Sequence, residues 1–245
     1  MKNIERFRIL VMGRANAGKT TILQRVCNST EKPEIFDGKG KKCSQRGYHN
    51  IEQEVVFQSN PRFVFHDSCG FEAGTVQQFD QMRGFVAERG ATMRVNERIH
   101  AIWFCIPMTD YHRTVTAAER KFFNECDTGH VPVIVLLTKV DALYLPALRG
   151  LLDEGLAIAE AKERAAEKQG ELLEKWLDHI KQELGKCQFP PKGYVSLQKM
   201  HQESADCSAL MDCTANVLNE EGLQRLLIST QQSSIALCVQ YAVHR

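Results

Sequence analysis

Residues 13–20 read Gly-Arg-Ala-Asn-Ala-Gly-Lys-Thr, a match to G-x-x-x-x-G-K-[ST]. The octet lies between an apolar run, Phe7 to Met12, and a helical pattern that begins at Lys19 and extends to about Asn28. A strand that turns through such a loop directly into a helix makes one local prediction. Successive backbone N–H groups and the positive end of the helix converge on a point suited to phosphate. Glycine at both ends permits close backbone approach or φ > 0. Gly13, Arg14, Ala15, Asn16, Ala17 and Gly18 then form the cradle, and Lys19 reaches the β- and γ-phosphates. The Thr20 hydroxyl is placed for Mg²⁺, and Thr21 reaches toward the α-phosphate. ATPases, nucleotide kinases and GTPases all use this device, so the loop alone names no base.

The remaining pattern predicts how the sheet is built. Ile51 to Gln58 and Arg62 to His66 are strand candidates separated by Ser59-Asn60-Pro61, and they are expected to pair antiparallel. Ala101 to Ile106 and Val131 to Leu137 are apolar on both faces, as buried parallel strands are, and helical segments Val76 to Arg89 and Ala117 to Cys126 precede them. Strands alternating with helices predict a doubly wound α/β sheet. Between Pro146 and Lys186 an amphipathic helix is expected, carrying Leu172, Leu173, Trp176, Leu177, Ile180 and Leu184 at helical spacing. Its stretch Glu160 to Gly170 lacks large apolar residues and reads as a solvated projection. Pro190 to Gly193 break the chain before a sixth strand, Tyr194 to Leu197, and two helices close it, near Ala205 to Leu218 and Leu223 to Val243. One domain over residues 1–245 is the simplest partition of this length.

Composition narrows the setting. Hydrophobic residues at 43% and charged residues at 25% describe a folded globular chain. Thirty-one basic against thirty acidic side chains, net +1, produce no global field for nucleic acid or an anionic membrane. Any anion site is therefore local. Nine scattered cysteines without a C-x-x-C pair fit a reduced, cytoplasmic protein. The longest apolar run, Val131 to Leu137, is far too short to span a bilayer, and Met1 to Arg6 show no apolar stretch, so no secretion signal is expected among the residues present.

Thr138-Lys139-Val140-Asp141 follows the buried strand at its C-terminal end, where open α/β sheets bind ligands. It matches [NT]-K-x-D. The Asp141 carboxylate can accept from both the ring N–H and the exocyclic amine of guanine, a donor pair adenine lacks. Sites built on such a pair reject the wrong ligand by about 10⁴- to 10⁵-fold. The Lys139 stem lies along the purine face. Thr138 replaces the commoner Asn and removes an amide that braces the phosphate loop. Asp67-Ser68-Cys69-Gly70 fits D-x-x-G, whose Asp contacts Mg²⁺ through water and whose glycine N–H senses the γ-phosphate. For the second hydroxyl ligand of the metal, Ser44 is preferred to Thr30. Lys39, Lys41 and Lys42 nearby could attract phosphate, although lysines in a loop are more often simply solvated.

With these motifs together, the chain resembles the translation-factor-related class of P-loop GTPases over nearly its whole length. The segments SNPRFVFHDSCGFEAG at 59–74, HAIWFCIP at 100–107 and ISTQQ at 228–232 look like a group of G-domain proteins of mushroom-forming fungi. The resemblance implies a three-layer G domain with a mixed six-stranded sheet, here with a helical insertion at about 146–186 before the last strand and C-terminal helices at about 205–243. It also implies GTP or GDP with Mg²⁺, and two switch segments that order around the γ-phosphate. For the last base-binding loop two candidates stand: Gln198 to His201, which follows a strand and is preferred, and Cys213-Thr214-Ala215, which then belongs to a helix.

Many GTPases place Gln directly after the D-x-x-G glycine to orient the attacking water, and here that residue is Phe71. The resemblance is therefore to GTPases with a hydrophobic substitution, whose hydrolysis is slow unless another side chain, a second copy or an activating protein supplies the missing group. His66, Glu72 and Gln77 are nearby polar residues. A slow GTP-hydrolysing switch and a GTP-loaded interaction module that scarcely hydrolyses are the two readings, and Lys19, Thr20, Asp67 and Gly70 carry the first.

Overall fold

A computed structural model of the chain describes residues 6–38, 40–43, 50–68, 76–113 and 115–230. Eight strands among these residues form one mixed sheet in the order β3-β2-β4-β5-β1-β6-β7-β8. They are β1 (Phe7–Gly13), β2 (Glu34–Phe36), β3 (Lys42–Cys43), β4 (Glu54–Phe57), β5 (Asn60–Asp67), β6 (Ala101–Pro107), β7 (Val133–Thr138) and β8 (Gly193–Ser196). β5, β1, β6, β7 and β8 are parallel neighbours, whereas β2, β3 and β4 run antiparallel. The expected six strands thus became eight. The additions, β2 and β3, are three and two residues long, too short to leave a periodic signal. The turn before β5 is also tighter than expected: Phe57 pairs with Asn60, so Pro61 lies inside the strand.

The helices are α1 (Lys19–Val26), α2 (Val76–Ala91), α3 (Ala117–Glu125), α4 (Tyr144–Asp153), α5 (Ile158–Gly185), α6 (Ser208–Val217) and α7 (Glu221–Thr230). Alternation along β1 separates two cores. Phe7, Ile9 and Val11 pack with Leu23 of α1, Met211 of α6 and Leu226 of α7. Leu10 and Met12 face the other way, toward Phe79 of α2, Phe122 of α3 and Ile180 of α5. The result is the three-layer arrangement that the alternating pattern predicts.

The segment before the last strand is two helices rather than one, broken at residues 154–157. The stretch at 160–170 is not wholly solvated either. Ala161 and Ala165 are fully buried against Leu151 of α4, because small side chains let two helices approach closely. α7 begins two residues before the expected start and is described to Thr230; residues 231–243 of the expected helix lie outside the described residues. No helix among the described residues is long and apolar enough to cross a membrane, and seven of the cysteines are free thiols.

Candidate functional site

The strand register brings the motifs to one edge of the sheet. Val11 pairs with Asp67, Gly13 with Cys105, Pro107 with Thr138, and Leu137 with Ser196, so the C-terminal ends of five parallel strands lie side by side. Chain reversal at that edge needs glycine at position 13. Its φ is +129°, and a Cβ there would lie 2.1 Å from the carbonyl oxygen of Cys105. Gly18 caps α1 in the left-handed region (φ 82°, ψ 16°) and brings no side-chain cap, so no side chain competes for the first-turn N–H groups. Asn16 is also left-handed, at φ 56°.

Lys19 folds back over this loop and donates from Nζ to the carbonyls of Gly13 (3.2 Å) and Arg14 (3.0 Å). The Arg14 carbonyl also accepts from the Ala17 N–H at 3.3 Å. Ala15 and Asn16 are exposed, while Gly18, Lys19, Thr20 and Thr21 are partly so. An ammonium, an uncapped helix start and left-handed loop residues make a donor set that fits a polyphosphate.

Thr138 does what the absent Asn was expected to do. Its buried hydroxyl donates to the Ala17 carbonyl at 2.7 Å, so the phosphate loop is braced from β7 after all. Lys139 is left-handed (φ 55°, ψ 40°), and its Cε lies 4.0 Å from where a Cβ on Gly18 would stand. Its stem therefore runs beside the loop. Asp141 accepts the Lys199 N–H on Oδ1 at 2.7 Å, which orients the carboxylate. That bond ties the 198–201 loop to the Thr138–Asp141 segment, and Arg25 of α1 holds it by donating to the carbonyls of Met200 (2.9 Å) and His201 (3.1 Å). Cys213, Thr214 and Ala215 lie within α6, where Thr214 accepts the Trp103 indole N–H at 3.2 Å.

Asp67 ends β5 beside Val11, and the next residue, Ser68, donates its N–H to the Val11 carbonyl at 3.0 Å. The carboxylate thus sits one strand over from the phosphate loop. Ser44, Gly70, Phe71, Glu72 and Lys39 lie outside the described residues. Lys42 is paired with Glu34 across the β2–β3 edge. No cluster of three or more His, Cys, Asp or Glu that could hold a metal ion occurs among the described residues. Mg²⁺ bound largely through phosphates, water, one hydroxyl and one carboxylate needs no such cluster, so Thr20 and Asp67 fit the ion.

His66 is buried in the core. It is 2% exposed; Nδ1 donates to the Ile51 carbonyl at 3.0 Å, and Nε2 faces Arg8 Nη1 at 3.3 Å. Burial first, and then the Arg8 charge, push its pKa down to about 3, so it is a neutral core residue. Gln77 is exposed on the first turn of α2. Cys105, beneath the loop, is held as a neutral thiol by burial, which pushes it up to about 12.

Arg14 departs most from the sequence reading. Its main chain belongs to the loop, but its side chain turns inward, 2% exposed, and ion-pairs with Glu119 of α3. Neither that pairing, between residues 105 apart, nor the Arg25 clamp on the base loop has a local signal. Thr116-x-x-Glu119 is legible only as a helix capping box.

A family model described as 50S ribosome-binding GTPase matches residues 8–139, just over half of the chain. Among solved structures, the chain is similar to a variant of Aquifex aeolicus Era bound to GDP and AlF4⁻, at 14% identity and a TM-score of 0.47. The match covers 88% of this chain and 58% of that one, so the chain spans less than two thirds of that relative's length. No curated protein matches.

Proposed function

The chain belongs to the 50S ribosome-binding GTPase family, and from that premise we propose that it binds GTP with Mg²⁺ and hydrolyses it slowly to GDP and phosphate, as a molecular switch. One observation carries this reading: the Lys19 loop, Asp67 and the Thr138–Asp141 segment meet at one sheet edge, with the Thr138 hydroxyl bonded to Ala17. In this reading residues 13–18 hold the phosphates through main-chain N–H groups, Lys19 reaches the β- and γ-phosphates with the ammonium N–H that it does not give to the Gly13 and Arg14 carbonyls, and Thr21 approaches the α-phosphate. Thr20, Asp67 and Ser44 would hold Mg²⁺. The ion, when bound, offsets charge that builds on the phosphate oxygens during transfer to water. Asp141 selects guanine, Lys139 covers its face, and the Gly70 N–H senses the γ-phosphate.

Phe71 makes intrinsic turnover slow, because a phenyl ring can neither accept from nor orient water. A second copy or an activating protein supplies the missing group. We read residues 1–245 as one G domain of a cytoplasmic protein, with guanine nucleotide and not nucleic acid as its ligand. A second reading, a GTP-loaded assembly module with little hydrolysis, is favoured by Phe71 and by exposed Leu145, Leu152 and Ile158 on the α4–α5 pair.

Calorimetric titration of nucleotide-free protein with GTP, GDP and ATP in Mg²⁺, followed by single-turnover hydrolysis at two protein concentrations, tests both. Guanine binding with turnover that rises with protein concentration supports the switch activated by a second copy. Guanine binding without turnover supports the module, and preference for ATP overturns both.

A further inference from the structure

The Arg14 side chain links the phosphate loop to a part of the molecule that no nucleotide motif includes. Nε donates to Glu119 Oε1 at 2.9 Å and Nη2 to Glu119 Oε2 at 3.1 Å, a two-pronged pair whose members are both 2% exposed. Nη2 also donates to the Arg113 carbonyl at the end of the 3-10 segment Met108–Arg113. Glu119 is itself fixed: Oε2 accepts the Thr116 N–H at 2.7 Å, and its own N–H donates to the Thr116 hydroxyl at 3.3 Å, which closes the capping box of α3. The other end of Arg14 does the work in the loop. Its carbonyl accepts both the Lys19 ammonium (3.0 Å) and the Ala17 N–H (3.3 Å).

We infer that Glu119 is a positioning residue for the bound nucleotide, holding the Arg14 main chain, and through its carbonyl Lys19 and Ala17, in the geometry that receives the phosphates. The inference rests on the guanine-nucleotide reading above. Its physical basis is the planar fork of arginine, which a carboxylate engages on two N–H groups while a third acceptor is reached from the same plane. Such a guanidinium cannot rotate without breaking several charge-assisted bonds in a buried place, so the residue's main chain is held as well. The consequence is coupling: displacement of Arg113, or of residues 115–119 at the start of α3, shifts the carbonyl that supports Lys19. Nucleotide affinity then responds to whatever binds or moves that surface.

The test measures a fluorescent GDP analogue binding to and dissociating from the full chain in Mg²⁺, alongside thermal unfolding. Glu119→Gln keeps the shape but loses the charge and one acceptor. The expected result is dissociation faster by about 3- to 30-fold, the span for residues that couple to a site without touching its ligand. Arg14→Lys, which keeps a charge but not the fork, is expected to do the same, and it reads the same contact should Glu119→Gln not fold. Thr116→Ala removes the cap and is expected to lower the unfolding temperature while leaving dissociation within about twofold, since the Arg14–Glu119 pair remains. Dissociation unchanged in Glu119→Gln and Arg14→Lys, with wild type binding normally, overturns the inference and leaves the GTPase reading intact. Wild type that fails to bind the analogue overturns both.

Discussion

His100 predicts a measurable loss of stability in mild acid. Its ring is 1% exposed and lies tilted against Phe7, with centroids 4.9 Å apart. Both nitrogens are used: Nδ1 accepts the Arg8 N–H at 3.0 Å, so Nε2 carries the proton and donates to the Val95 carbonyl at 3.0 Å. Protonation would turn Nδ1 into a donor facing a donor. Burial is the main force lowering its pKa from 6.5 to about 4, with Arg98 and Arg8 acting in the same direction and the Val95 bond and Glu220 opposing them. The folded value is below the unfolded one, so the unfolded chain binds the proton first. Stability from this residue is complete above pH 6.5 and is lost as pH falls toward 4. At pH 5 the unfolded imidazole lies about 1.5 pH units below its own pKa, and at ~1.36 kcal/mol per unit the loss is about 2 kcal/mol. Urea unfolding at pH 7.5 and 5.0, for wild type and His100→Asn, isolates the effect, because the Asn Oδ1 can accept from Arg8 without titrating. With a slope of about 2–3 kcal/mol per molar urea, the wild-type midpoint should fall by about 0.7–1 M more than that of the variant. Equal pH dependence in the two proteins would refute the reasoning, whatever their absolute stabilities.

Three further outcomes concern the site. Lys19→Ala should abolish nucleotide binding in a calorimetric titration, and micromolar GTP affinity in that variant would remove Lys19 from the phosphate site. Asp141→Asn should turn preference from guanine toward xanthine nucleotides, because the acceptor becomes an amide with donors; competition between GTP and XTP reads this directly, and unchanged GTP preference places the base elsewhere. Thr138→Val deprives the buried Ala17 carbonyl of its donor, a loss of about 1–3 kcal/mol. Guanine affinity should fall by up to about 100-fold if all of it is expressed in the loop, and Thr138→Ser should restore most of it; dissociation constants equal in Thr138→Val and wild type would mean that the brace is idle.

Some of this architecture was plain in the residues. Buried parallel strands such as Ala101–Pro107 are long apolar runs, and α3 begins at a Thr-x-x-Glu box, so both are readable within a few positions. The helix break before Ile158 was missed because residues on either side share helical spacing, and β2 and β3 were missed because a two- or three-residue strand has no period. His66, beside Asp67 in the chain, reads in the sequence as an ordinary switch-region surface residue, but alternation along β5 turns adjacent side chains to opposite faces, and His66 points into the core.

Sequence alone made legible the strings that are read through consecutive residues: the Gly13–Thr20 loop, Asp67 at the end of β5 and the Thr138–Asp141 segment, each short and marked by its own spacing. Tertiary structure decided which of their partners are real. Thr138 braces Ala17 across 121 positions, Arg14 finds Glu119 across 105, and Arg25 clamps the Met200 carbonyl from 175 away. These contacts depend on strand order, on the face to which each side chain turns and on how closely helices pack, and no neighbouring residue along the chain records any of the three.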